Sequence, residues 1–460
     1  MAPQRRRRGI SIGTVVMLAV TCLVIGGMAA VLPKLSSTEV VIDTGKVLQA
    51  LSLGDHMPHL GLSDIPISVI NRTQTTAAPD PLREENTLPP AQEQTHQPTY
   101  TPQPTAAPTQ TPIPGGRFTA TFGGSVIIGT ELRQAHYYSE SKKYDFSDVL
   151  SLLRPELTAD LSMVTLENII YPDGKLSDTV TTDAVLPMLS YAGIDAVALG
   201  YRNAGDQGME GLSGTIQAVQ AQGMTALGAY PDADSARVER RMMELGGVKV
   251  ALLHYSDALS DKGKRTVKEP NDFALAVDAV SDGVDRIASD VALARENGAQ
   301  AVIVSLNWGY NSGKSTPTSK QKEFAQQLAD AGVDVIIGSG SRIVQPVEWL
   351  TGNRDGAAHQ TLCVYSLGSL FNGSRTNGNV ASMLLHLELS YDGRQLHFEK
   401  VSYTPTYIWR FKQDGRYYYR VVASDQPAPD GMDDNQVESM ERAMGTTRKY
   451  LGDKSPVELR

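Results

Sequence analysis

Short apolar, β-branched runs that stop abruptly at small or polar residues recur through the second half of the chain, and stretches of helical period separate them. The clearest run covers residues 299–309 and ends at Asn307-Trp308-Gly309; a helical pattern over 319–331 follows, then a second run over 332–342. This order predicts a strand, helix, strand unit. Ligands of such units meet the loops at the C-terminal ends of the strands. Asn307 and the stretch Ser339, Gly340, Ser341, Arg342 therefore stand where chemistry would be done.

The same pattern predicts further elements on either side. A strand over 118–129 runs into Gly123, Gly124 and Ser125, and a second covers 161–167, ending at Glu167. Residues 193–208 read as strand and loop, with a helix over 211–222 and a buried strand over 248–253. An amphipathic helix over 280–297 precedes the central unit, and a strand over 361–370 follows it. The segments 381–389 and 395–403 alternate like a hairpin across Asp392-Gly393. Tyr417-Tyr418-Tyr419 reads as strand, and 435–451 as a surface helix.

The first part of the chain has a different texture. Arg5, Arg6, Arg7 and Arg8 lie in a basic tail over 1–9 and precede an uncharged apolar run over 10–32. As a helix that run would span about 34 Å at ~1.5 Å per residue, enough for a bilayer core. Arginines on this flank stay in the cytoplasm and send the remainder outside the cell membrane, giving a single-pass protein with an extracellular main domain. A cleaved signal peptide is the competing reading, because Met28-Ala29-Ala30 follows the apolar core. Next come a juxtamembrane segment over 33–70, read as helix or hairpin, and a Pro- and Thr-rich stretch over 71–116. The latter has too little apolar surface to offset the entropy of ordering, so a disordered linker is expected there. The folded domain is expected over 117–425 and a tail with a helix over 426–460.

The net charge of −9 over 460 residues argues against a nucleic-acid partner, which would need a clustered basic face. Cys22 lies in the apolar run and Cys363 in a core strand, so the two are not expected to pair.

Several of these stretches together resemble the bacterial capsule-synthesis proteins of the CapA type, linked to poly-γ-glutamate. That family has H-W-G where this chain has Asn307-Trp308-Gly309, and G-H-H-P-H where it has Gly338, Ser339, Gly340, Ser341, Arg342. Its Q-P-x-E tail matches Gln345-Pro346-Val347-Glu348, and its Y-S-L-G-N-F matches residues 365–370 with Ser369 for the asparagine. In its opening strand G-D becomes Gly124-Ser125, and in N-x-E the asparagine becomes Thr165 while Glu167 stays. In the stretch 193–208, Asp195, Asp206 and Gly208 match, whereas Tyr201, Arg202 and Asn203 replace N-N-H. The resemblance implies an α/β fold of the metallophosphatase-like, layered αββα sandwich type. It also implies an accessory role in making, exporting or retaining an anionic envelope polymer such as poly-γ-glutamate; a structural partner in an envelope synthase complex is a further reading.

The substitutions bear on chemistry. A two-metal hydrolase holds its cations roughly 3.5–4 Å apart with anionic or imidazole ligands, so that a bridging water becomes a nucleophile. Serine and glycine are weak or null ligands, and arginine places a positive charge where a dication would sit. No bound metal pair and no other cofactor is therefore expected, and binding is favoured over hydrolysis. The candidate ligand-binding set is Ser125, Glu167, Arg202, Asn203, Asp206, Asn307, Trp308, Ser339, Arg342 and Glu348. Glu167, Asp206 and Glu348 would cap helices, orient loops or pair with Arg202 and Arg342; the alternative is a repurposed polar cleft in which those two arginines take an anion. The competing class is a divergent phosphoesterase or γ-glutamyl hydrolase using Glu167, Asp206 and Glu348. His254 beside Asp257 reads more simply as a hydrogen-bonded core histidine than as a general base, and His136 as a cleft wall or surface patch.

Overall fold

The structure, a computed structural model, describes residues 115–460 apart from 172, 173, 311, 355 and 377, together with the strands Glu39–Ile42 and Ile67–Ile70. Those two strands pair antiparallel, Glu39 opposite Ile70. The apolar run over 10–32 and the spacer up to residue 114 lie outside the described residues. Among the described residues no helix is long and apolar enough to cross a membrane. The chain divides into two units, Met1–Pro104 and Thr105–Arg460, and the second carries everything that follows.

Two sheets make the centre of that unit. In the first, β1 (Gly116–Val126), β2 (Leu161–Leu166), β3 (Ala196–Ala198) and β4 (Thr225–Leu227) run parallel. In the second, β5 (Met242–Leu245) pairs antiparallel with β6 (Val248–Ser256), and β6, β7 (Ala301–Asn307) and β8 (Val335–Ser339) run parallel. The hairpin of β9 (Val347–Arg354) and β10 (Ala357–Val364) closes the second sheet, with β10 beside β8. Antiparallel β11 (Ala381–Tyr391), β12 (Leu396–Gln413) and β13 (Arg416–Ala423) complete the first, with β11 against β1.

Side-chain alternation explains why the sheets stack face to face. Phe118, Ala120 and Phe122 of β1 meet Val250, Leu252, Ile303 and Ile337 of the second sheet in one buried core. Residues of the opposite parity face outward. Helices α1 (Thr130–Ala135), α2 (Leu186–Ala192) and α3 (Gly208–Ala221) cover the outer face of the first sheet with Leu132, Leu189 and Ile216. A short helix α4 (Asp261–Thr266) follows β6. Helices α5 (Asp285–Glu296) and α6 (Ser319–Asp330) cover the second sheet with Val291, Phe324 and Leu328. Helices outside and two sheets inside give the αββα layering expected from the sequence.

Boundaries shift for local reasons. Helix α5 starts five residues after the expected 280, because Gly283 sits at φ +95 and the Val280 N–H is tied to Asp257. Residues 426–460 are part of the same body: α7 (Asp434–Leu451), capped reciprocally by Asp433 and Gln436, lays Met440 and Ala443 on Tyr407, Trp409 and Val422. Cys363 is buried in β10, where burial raises its thiol well above the usual range.

Candidate functional site

The inner faces of the two sheets turn polar at the C-terminal ends of their parallel strands. On β7, Asn307 shares the parity of Ile303; on β8, Ser339 shares that of Ile337; on β2, Thr165 shares that of Met163. Strand β1 needs a correction of phase to join them. Between Phe122 and Ser125 its register against β2 slips, so that Phe122 lies opposite Met163 and Ser125 opposite Thr165. This bulge falls at Gly123-Gly124, where a Cβ on Gly124 would stand 2.2 Å from the Gly368 carbonyl. The extra residue re-aims Ser125 into the gap between the sheets.

Glu167, just past the end of β2, is the centre of what results. Its Oε1 accepts from Ser125 Oγ at 2.7 Å and from Asn307 Nδ2 at 3.1 Å. Asn307 also donates to Ser339 Oγ at 3.2 Å, and Thr165 reaches the same Ser339 Oγ at 3.4 Å. On the other side, Arg342 Nη2 lies 3.6 Å from Glu167 Oε2. That separation is a charge contact rather than a hydrogen bond. It leaves Glu167 Oε2 and Arg342 Nε as buried atoms with no hydrogen-bond partner among the described residues. Arg342 holds φ +66, a left-handed backbone that a non-glycine residue adopts only under constraint.

A second group stands alongside, from the loop after β3. Asn203 donates to Asp206 at 2.8 Å, and Ser260, the N-cap of α4, makes a short bond to the same carboxylate. Tyr310 links the groups. Its hydroxyl donates to Asn203 Oδ1 at 3.3 Å, and its ring has the Arg202 guanidinium 5.3 Å from its centre and that of Arg342 at 5.9 Å. Two guanidinium groups thus share one half-exposed aromatic ring. The Tyr201 hydroxyl is buried without a hydrogen-bond partner among the described residues, and burial, with Glu167 and Asp206 near, raises it well above its usual range.

Eight of the ten residues singled out from sequence therefore gather here, and two do not. Trp308 has the opposite parity to Asn307: it is buried in the outer core, stacked on Tyr365, and donates to the Tyr365 carbonyl at 2.9 Å. Glu348 lies opposite Cys363 on the outer side, near Lys322 at 3.2 Å and the Tyr365 hydroxyl at 3.3 Å. His254 is core, as the plainer reading had it. Its Nε2 meets the Gly200 carbonyl at 2.7 Å and its Nδ1 meets Ser305 Oγ at 2.9 Å, while Asp257 is engaged elsewhere. Burial lowers it to about 4. Sequence reasoning missed Tyr310 and Ser260; the available signals were an aromatic residue immediately after a strand end and a serine at a helix start.

The donor set does not fit a pair of dications. Glu167 has one oxygen already taken by two donors and a guanidinium beside the other, and the neighbouring ligand positions hold hydroxyls and an amide. Among the described residues no three His, Cys, Asp or Glu side chains converge as a metal cluster. What the arrangement offers an anion is two guanidinium groups beside an aromatic face and the unpaired buried donor Arg342 Nε, with the Glu167 carboxylate opposing it.

The model of one protein family, bacterial capsule synthesis protein PGA_cap, matches residues 119–374. The chain belongs to that family. The PGA_cap match contains the whole cluster from Ser125 to Arg342 and ends before β11. A probable polyglutamine synthesis accessory protein of Mycobacterium tuberculosis is 28% identical over 224 residues, 46% of this chain and 57% of that one. The PGA biosynthesis protein CapA of Bacillus subtilis is 25% identical over 196 residues, 41% of this chain and 46% of that one. The chain thus spans about half the length of the curated relatives it matches. The calcineurin-like phosphoesterase YfkN of Bacillus subtilis aligns over 74% of this chain and 99% of that one at 13% identity, with a TM-score of 0.35, too slight a likeness to argue from.

Proposed function

We propose that this PGA_cap chain is a membrane-anchored, extracellular accessory factor in the synthesis, export or retention of an anionic envelope polymer, and that it binds the polymer without hydrolysing it. The observation that carries the reading is the pairing of Glu167 with Arg342 at the polar mouth between the sheets. A carboxylate already opposed by a cation and by two donors is a poor metal ligand. The flanking guanidinium groups of Arg202 and Arg342, held over Tyr310, are suited to successive carboxylates of a chain such as poly-γ-glutamate. The Bacillus relative is named for PGA biosynthesis, which supports this polymer class, whereas the Mycobacterium relative is named for polyglutamine, whose side chains are uncharged amides.

Calorimetric titration of the full chain with oligo-γ-glutamate tests the reading. Arg202→Ala and Arg342→Ala should each weaken binding about tenfold, which corresponds to ~1.4 kcal/mol. Phosphodiester and polymer hydrolysis with added Mn²⁺ should stay at background. Hydrolysis that Glu167→Gln and Asp206→Asn abolish would overturn the proposal in favour of a divergent hydrolase.

A further inference from the structure

A cleft of about 630 Å³ opens at the lateral edge of the sandwich, between the β9–β10 hairpin of one sheet and the β11–β12 turn of the other. It lies at the opposite end of β8 from the Glu167 cluster. Asp334, which lines it, precedes that strand and Ser339 ends it, roughly 16 Å apart at ~3.3 Å per residue.

Three properties of its walls define what would enter. Part of the lining is aromatic: the indole of Trp349 is 40% exposed, and Phe398 packs edge-on to it at 4.8 Å, 81° between planes. Each side also contributes a cation. Arg354 is fastened to Asp334 at 3.4 Å, whereas Arg394, in the exposed turn, makes no side-chain hydrogen bond or ion pair among the described residues. The acid in the lining is already matched. Asp334 is buried, lies 2.6 Å from Arg295 and accepts the Val302 N–H at 2.6 Å, so its charge does not repel an anion. Gln360 and Gln395 add neutral donors and acceptors along the floor.

We propose that this cleft binds an acidic saccharide, with the C–H face of a sugar ring on Trp349 and its carboxylate or phosphate at Arg394. A volume of this size matches ordinary small-ligand sites. A flexible linear polycarboxylate would use the guanidinium groups but has no flat apolar face for the indole, which is what selects a ring. The site is independent of the polymer reading for the Glu167 cluster, and each can fail alone.

The test uses the full chain and four variants. Of the three tryptophans, Trp308 and Trp409 are buried, so quenching of fluorescence reports Trp349. The probes are a glucuronate-containing tetrasaccharide, glucose 6-phosphate, neutral cellotetraose, tetra-γ-glutamate and AMP. Either or both of the first two should quench and bind, their ratio telling carboxylate from phosphate, and cellotetraose should bind at least about fivefold more weakly. By calorimetry, Trp349→Ala and Arg394→Ala should each weaken the acidic saccharide about fivefold or more. Arg202→Ala and Arg342→Ala should leave it unchanged. Arg394 lies in an exposed turn, so its replacement tests the site even if Trp349→Ala disturbs folding. Absence of binding by both acidic sugars, quenching of Trp349 at equal affinity by cellotetraose, tetra-γ-glutamate or AMP, or an undiminished affinity in Arg394→Ala would overturn the proposal.

Discussion

Arg342 faces Glu167 across the gap between the two sheets, Nη2 to Oε2 3.6 Å, with side-chain exposures of 27% and 2%. One partner ends a parallel strand of the first sheet and the other follows β8 of the second, so the contact joins the sheets at their polar mouth. Two further bonds to Glu167 cross or flank the same gap, from Asn307 and Ser125. The carboxylate therefore works first as a clamp between layers.

A clamp of this kind should show as coupling. Glu167→Gln removes the charge that faces Arg342 and should destabilise the chain by about 2 kcal/mol, less than a fully buried pair because Arg342 is partly solvated. Arg342→Met, which leaves the buried carboxylate without its cation, should cost at least as much, and the double change should fall short of the sum by about 1 kcal/mol. Urea unfolding of the four chains measures this. Strict additivity would show that the two side chains do not interact.

The β8 loop supplies a second expectation. Gly340 holds φ +97, and a Cβ there would stand 2.9 Å from the Trp308 carbonyl and 3.3 Å from Asn307 Oδ1. Left-handed backbone costs a side-chain-bearing residue about 1–2 kcal/mol before any clash is counted. Gly340→Ala should therefore lower stability by about 2 kcal/mol or more in the same unfolding measurement. Gly340→His, the residue of the family pattern, should be worse. A stability equal to the parent would mean that the loop relaxes freely.

Much of this layout was legible as alternation. Ile303, Ser305 and Asn307 share one face, so the apolar run itself points Asn307 into the inter-sheet gap. The same parity, followed one residue further, turns Trp308 outward, and the register of Glu348 against Cys363 turns that acid outward too. Grouping them by motif rather than by face put both in the wrong place. The Tyr310 bridge between Arg202 and Arg342 was not legible, because the partners are 108 and 32 residues away and meet only once the sheets stack. The tail helix was read as a surface element because its core contacts are few and spaced, at Met440, Ala443 and Leu451.

Metal content is the most direct check on the chemistry of the cluster. With Ser125, Asn307 and Ser339 at its neutral positions and a guanidinium beside Glu167, elemental analysis of the purified chain should find less than about one equivalent of Mn, Fe or Zn. Replacing Asn307 and Ser339 by His together should not restore a pair while Arg342 remains. Two equivalents retained through chelator-free dialysis would refute the assignment of Glu167 to the clamp.

Buried histidines set the pH dependence. Burial lowers His136 and His254 to about 4 and His386 to about 3, against roughly 6.5 in the unfolded chain. Between these limits the unfolded chain binds more protons, so the free energy of unfolding rises with pH there. The stability these groups contribute is complete above about pH 6.5 and is lost as pH falls toward 4, at up to ~1.4 kcal/mol per pH unit for each histidine. Asp278, which partial burial raises to about 6, acts with the opposite sign, as do Asp195 and Asp425, which burial also raises, but four lowered histidines, His359 among them, outnumber the three. The urea midpoint should therefore hold steady from pH 8 to 7 and drop from 6.5 to 4.5. His254→Gln, weaker at pH 7 through loss of its bonds to Gly200 and Ser305, should show a shallower drop by about one proton. A midpoint that rises on acidification would mean that these imidazoles are charged in the folded chain and that the packing around His254 is not as described.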